Sequence, residues 1–237
     1  MHIDPSTPIG DLAARVPGAT KIFEDRRIDY CCGGGRSLSA ACASAGIRPE
    51  ELLVELERAA ADVDPPIEWD REMLSDLSKH IVECHHTYTR QALERLDGLS
   101  RKVLAAHGEA HPELRKLREL FEAMAEDLIP HLSKEELILF PYIEEMENSR
   151  RAGRSRPVAP FGTVDNPIRA MMQQHDHVGG LLRQVRALTN DYGPPEGACP
   201  SWRALYAGLK ALDDDLREHM RLESEVLFPR TLEMELH

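Results

Sequence analysis

The chain has 237 residues, 42% of them hydrophobic and 30% charged, with a formal net charge of −12. That is enough apolar sequence for one medium core or two smaller ones. The acidic balance excludes a nucleic-acid partner, which needs clustered positive charge, and no run approaches the ~20 uncharged apolar residues of a membrane-spanning helix.

In chain order, short helices are expected over 11–15, 20–26, 37–45 and 49–61, broken by Pro17-Gly18 and by Gly33-Gly34-Gly35. Arg48-Pro49 reads as a helix start, because proline is tolerated in the first turn. The opening Met-His-Ile-Asp-Pro-Ser-Thr-Pro has neither the basic region nor the apolar core of a signal peptide. Five cysteines, an odd number with two adjacent, do not make a secreted disulfide framework. A cytoplasmic, reduced protein is expected. Asp62-Val-Asp-Pro-Pro-Ile67 reads as a stiff, extended linker.

Beyond it the helical pattern lengthens to about 70–107, 111–147, 165–191 and 199–235, with His111-Pro112 and Gly193-Pro194-Pro195 at the turns. The stretch 149–163 crosses between the two helix pairs and carries Arg150, Arg151, Arg154 and Arg156 as an exposed basic loop. No strand alternation is visible. The expected fold class is all-α, with a small helical module over 1–62, a linker over 63–69 and a four-helix bundle over 70–237.

Within the bundle one metal-ligand pattern occurs twice. His131-Leu-Ser-Lys-Glu135 runs into Leu-Phe-Pro141, and His219-Met-Arg-Leu-Glu223 runs into Leu-Phe-Pro229. Each copy has a histidine upstream, His86 lying 45 residues before His131 and His175 lying 44 before His219. Residues four apart share a helix face, so each His-x-x-x-Glu aims an imidazole and a carboxylate at one point. Both donors suit iron, and a carboxylate can bridge two metals. A circuit of this length allows roughly 20 residues per helix plus a turn, and bundle interiors are where such sites are built. The expected cofactor is a non-heme pair of iron ions held by His86, His131, Glu135, His175, His219 and Glu223. Asp127 and Asp215, four residues before the repeat histidines, are candidate acceptors for a ligand's outer nitrogen. His85 and His86 lie about 100° apart on a helix, so only one can face the metals, and the spacing favours His86. The same spacing favours His175 over His177. His80, His107 and His111 have no repeat partner and are expected to be exposed.

The remaining chemistry is at Cys31 and Cys32. Adjacent cysteines do not bridge each other without strain. Their position before a glycine run and a helix near Ser37 could lower a thiol pKa. That suits transient metal ligation or redox exchange with a partner; the alternative is a small buried pair under a glycine turn. Cys42, Cys84 and Cys199 are expected to pack as small hydrophobes.

Ile28-Asp-Tyr-Cys-Cys-Gly-Gly-Gly-Arg36 resembles the N-terminal module of the repair-of-iron-centres family, the ScdA/YtfE type, and the rest resembles that family's hemerythrin-like di-iron domain. The resemblance covers nearly the whole chain. It implies a cytoplasmic di-iron protein that helps restore iron–sulfur clusters damaged by nitric oxide or peroxide, with damaged iron–sulfur proteins as partners. It makes Cys31 and Cys32 the functional pair, and places the family's iron ligands on the six residues the repeat already selects. Six protein ligands leave open positions for an oxo or hydroxo bridge and for dioxygen or nitric oxide. Two rival functions remain: a dioxygen or nitric oxide carrier or sensor, and a nitric oxide-reducing or peroxidase-like enzyme. The adjacent cysteines could also link two chains as a homodimer.

Overall fold

The computed structural model describes residues 3–16, 18–26, 28, 30, 35–61 and 68–236; Cys31, Cys32 and the linker segment 62–67 lie outside the described residues. The chain divides into two compact units, Met1–Ile67 and Glu68–His237. In the first, helices Ile9–Arg15, Ala19–Asp25, Leu38–Ala45 and Pro49–Ala61 enclose Ile9, Leu12, Phe23, Leu38, Leu52 and Leu56. Ser37 caps the third helix through a hydrogen bond from Ala40 N to its Oγ. That helix ends at Gly46, whose φ of 69° is the left-handed turn that glycine adopts without strain. Pro8 and Ser37 form a single antiparallel bridge that ties the chain's start to this cap.

The second unit is a bundle of four long helices. The first runs as Leu74–His80, a π-helical stretch Ile81–His86, and Thr87–His107. The second runs as Glu113–Lys134, a π-helical stretch Glu135–Leu139, and Phe140–Arg151. The third, Asp165–Leu188, is unbroken, and the fourth runs as Pro200–Arg221, a π-helical Leu222–Leu227, and Phe228–Leu236. Among the described residues no helix is long and apolar enough to cross a membrane. The all-α expectation holds for the described residues, with two adjustments, at the start of the first bundle helix and at the end of the second. The first bundle helix begins at Leu74 because Glu147 of the second helix caps it, accepting from Leu74 N at 2.8 Å and Ser75 N at 3.1 Å. Glu235 does the same for the third helix, accepting from Val164 N at 2.9 Å. Arg150 and Arg151 belong to the last turn of the second helix rather than to a loop, where a positive charge complements the helix dipole.

The proline repeat explains two of the π turns. Pro141 and Pro229 have no N–H to donate, and their rings crowd the carbonyl four residues back. The preceding turn widens, so Phe140 N reaches Glu135 O and Phe228 N reaches Glu223 O, five residues back. Two apolar layers flank this level of the bundle. One holds Leu96, Leu128, Val178, Trp202 and Leu216; the other holds Ile81, Leu139, Met171, Leu222 and Leu227. Each fully buried leucine contributes about 2 kcal/mol, which offsets the cost of the polar layer between them.

Candidate metal centre

That polar layer is made of six side chains from all four helices. His86, His131, His175 and His219 are 1%, 3%, 7% and 1% exposed, and Glu135 and Glu223 are fully buried. His86 and His219 face each other with their Nε2 atoms 3.2 Å apart; His175 and His131 do so at 3.3 Å. Each carboxylate spans both pairs. Glu135 places Oε2 3.4 Å from His86 Nε2 and Oε1 3.2 Å from His131 Nε2. Glu223 places Oε1 3.2 Å from His219 Nε2 and Oε2 3.1 Å from His175 Nε2. Two donor sets result, His86 with His219 and His131 with His175, each completed by one oxygen of Glu135 and one of Glu223. The copies of the sequence repeat are therefore crossed: each set takes the upstream histidine of one copy and the downstream histidine of the other.

The proton positions follow from the outer nitrogens. His86 Nδ1 donates to Glu136 Oε1 at 2.8 Å, and His131 Nδ1 donates to Gln174 Oε1 at 3.0 Å. Both acceptors leave the lone pair on Nε2, aimed into the layer. Burial pushes the imidazolium pKa of both residues down to about 4, so both rings are neutral donors. Burial, and then the charge of Glu223 beside it, holds Glu135 well above the usual carboxylate range. Two carboxylates in one dry layer do not both stay ionised without a cation. All four of their oxygens lack a hydrogen-bond donor. Facing ring nitrogens about 3 Å apart are what two nitrogens on one ion at roughly 2.1 Å present. The residues fit a pair of cations.

The repeated phenylalanine also has a task. Phe140 stacks on His86 at 5.8 Å, and Phe228 on His175 at 6.0 Å, so each Phe-Pro both widens a turn and holds an imidazole.

His86 enters the layer, whereas His85 turns to Asp215, with Nδ1 2.9 Å from Oδ1. His177 lies outside, 3.1 Å from Asp127. Asp215 is thus hydrogen-bonded to His85 and Asp127 is paired with His177, and neither is bonded to a converging histidine. The outer partners that sequence reading missed are Glu136, Gln174 and Ser224, the last 3.4 Å from His175 Nδ1. Each sits directly beside a converging residue and reaches the imidazole of an adjacent helix. Arg90 holds Glu136 with Nη2 3.0 and 3.1 Å from its two oxygens.

Two further expectations need correction. Cys42 is buried and Cys199, half-buried, packs against the apolar core as expected, but Cys84 is exposed. Cys84 lies on the outer face of its π turn, with Sγ 3.5 Å from His80 Nδ1, and Cys199 Sγ is 3.2 Å from His107 Nε2. His80, His107 and His111 are half-buried because each packs on a tryptophan, His80 on Trp69 and the other two on Trp202.

A four-helix bundle with a histidine and glutamate layer is the hemerythrin arrangement, and residues 77–231 match the family model of the hemerythrin HHE cation binding domain. Residues 5–60 match the ScdA N-terminal domain, a domain of unknown function. The chain belongs to the family of the iron–sulfur cluster repair proteins YtfE. It is 36% identical to the protein of that name from Yersinia pseudotuberculosis serotype IB (strain PB1/+) over 224 residues, 94% of this chain and 96% of the relative. It is 35% identical to the one from Pectobacterium atrosepticum over the same shares of both chains.

Proposed function

We propose that this chain holds two iron ions in its bundle and supplies iron to iron–sulfur proteins whose clusters nitrosative or oxidative stress has damaged. The observation that carries the reading is the pair of buried carboxylates, each offering one oxygen to each histidine pair with no other partner. His86, His219 and one oxygen of each glutamate hold one ion; His131, His175 and the other two oxygens hold its neighbour. The named function of the relatives supports delivery of that iron to clusters. Iron held by these residues would supply the capacity to take nitric oxide or dioxygen. Two carboxylates, against the four of ferritin-like centres, suit a site that must give its metal up. Cys31 and Cys32 serve client docking or redox exchange, and the cytoplasm is the compartment in which reduced thiols and damaged clusters coexist.

The test is iron per chain in anaerobically purified protein, wild type beside His219→Ala. About two ions are expected in the wild type, as in other bundle di-metal centres, with clear loss in the variant. Wild-type iron should then move into an iron–sulfur protein whose cluster nitric oxide has destroyed. Zinc in equal amount in both proteins, or no metal in either, would remove the chemistry from this reading.

A further inference from the structure

The two histidine pairs differ in what stands behind them. Behind His86 is the Glu136 carboxylate at 2.8 Å, fixed by the Arg90 guanidinium. Behind His131 is the neutral amide oxygen of Gln174 at 3.0 Å, and behind His175 is the Ser224 hydroxyl at 3.4 Å. His219 Nδ1 has no hydrogen-bond partner among the described residues, so Glu136 is the one carboxylate that backs a converging imidazole. Positions 136 and 224 are equivalent in the repeat, each directly following a converging glutamate. Glutamate in one half and serine in the other therefore make the halves chemically unequal. A carboxylate behind a metal-bound imidazole raises its basicity and locks the ring, and such partners are worth 10–100-fold in metal affinity.

Access is unequal too. A narrow cavity of about 10 Å³, space for about one water, lies among the second, third and fourth bundle helices. It is lined by His131, His175 and Gln174, and by Asp127, whose carboxylate is paired with His177. The cavity also touches His219 but does not reach His86. On the other side His85 stacks on His219 at 5.7 Å, with planes 8° apart, and is pinned there by Asp215.

We propose that the two metal positions are unequal, and that the ion between His131 and His175 leaves first while the ion between His86 and His219 is retained. Glu136 and Arg90 are positioning residues for the retained ion. The inference rests on the iron-delivery reading above and adds which ion is delivered.

The test loads the full chain anaerobically with ferrous iron and follows its capture by excess chelator. Two phases of about one ion each are expected for the wild type. Glu136→Gln should speed the slow phase by between roughly tenfold and a hundredfold and leave the fast phase alone. Ser224→Glu, which installs the missing carboxylate in the other half, should slow the fast phase by a similar factor. It decides the matter independently if the first variant folds poorly. A single phase in the wild type, or Glu136→Gln acting on the fast phase, would overturn the inference. Chelation involves no client protein, so the two readings fail separately. Unequal release without transfer to a damaged cluster leaves this inference and removes delivery; transfer with equal release does the reverse.

Discussion

Glu135→Gln is expected to empty both metal positions at once. The two Glu135 oxygens point to different histidine pairs, Oε2 to His86 and Oε1 to His131, so the amide withdraws charge from both and one oxygen donor from one of them. Bound iron should fall from about two ions per chain to well under one, a larger loss than His131→Ala produces, since that imidazole belongs to one donor set. The fold should persist. In the metal-free protein Glu135 is a fully buried carboxylate driven toward its neutral form by burial and by Glu223, so a neutral isostere there removes no buried charge that the metal-free fold depends on. Metal content and a thermal melt on the same samples separate the two effects. The metal-free variant should melt at or above the metal-free wild type. The iron-loaded wild type should melt above both, by the stabilisation that tight binding to the native state gives. Retention of one full equivalent of iron in Glu135→Gln would mean that this carboxylate serves a single position and that the spanning arrangement is wrong.

The parts of this site legible in the sequence are those governed by a single helix. His131 with Glu135 and His219 with Glu223 are i, i+4 pairs, and helix geometry alone puts each pair on one face. The matched upstream spacing then selects His86 over His85 and His175 over His177, and the structure brings those four imidazoles together. What was not legible depends on which helix stands beside which. The exchange of histidines between the repeat copies follows from the first helix packing on the fourth and the second on the third, and no spacing encodes it. The outer partners are a second case. A residue next to a buried ligand is rotated about 100° into the seam between helices, so Glu136, Gln174 and Ser224 meet imidazoles from elsewhere in the chain. Asp127 and Asp215 share a face with their own histidine but find His177 and His85 nearer. Glu147 and Glu235, which cap helix starts some 70 residues away in sequence, are invisible to local reading for the same reason. The π turns stood closer to legibility, since a proline six residues after each converging glutamate already removes one helical hydrogen bond.

Asp213→Ala is expected to destabilise the bundle by about 3 kcal/mol without touching the metal layer. Asp213 is fully buried and carries a tie between the third and fourth helices. Its Oδ2 accepts from the Tyr192 hydroxyl at 2.7 Å, and Arg217 donates Nε to Oδ1 and Nη2 to Oδ2 at 3.0 and 3.1 Å. Arg186 Nε lies 2.9 Å from Oδ2. The tie is needed because Asn190, Asp191 and Tyr192 are all left-handed, with φ of 49°, 57° and 61°. Non-glycine residues hold that conformation only where their surroundings over-determine it. Removing the carboxylate strands the buried Tyr192 hydroxyl, leaves Arg186 without its counter-charge and frees the strained turn to relax. For a unit of this size the loss corresponds to a fall in melting temperature of roughly 6–12 °C, and Asp213→Asn, which can still accept from Tyr192, should lose less. Asp213 lies six residues before His219, about 9 Å along the same helix, so the tie sets where the fourth helix stands against the third. Iron per folded chain at low temperature should match the wild type. The temperature at which iron is lost should fall together with the melt. Iron loss well below the melting transition would mean that the tie positions His219 directly, and a fall under about 2 °C would mean that the turn carries its own strain without it.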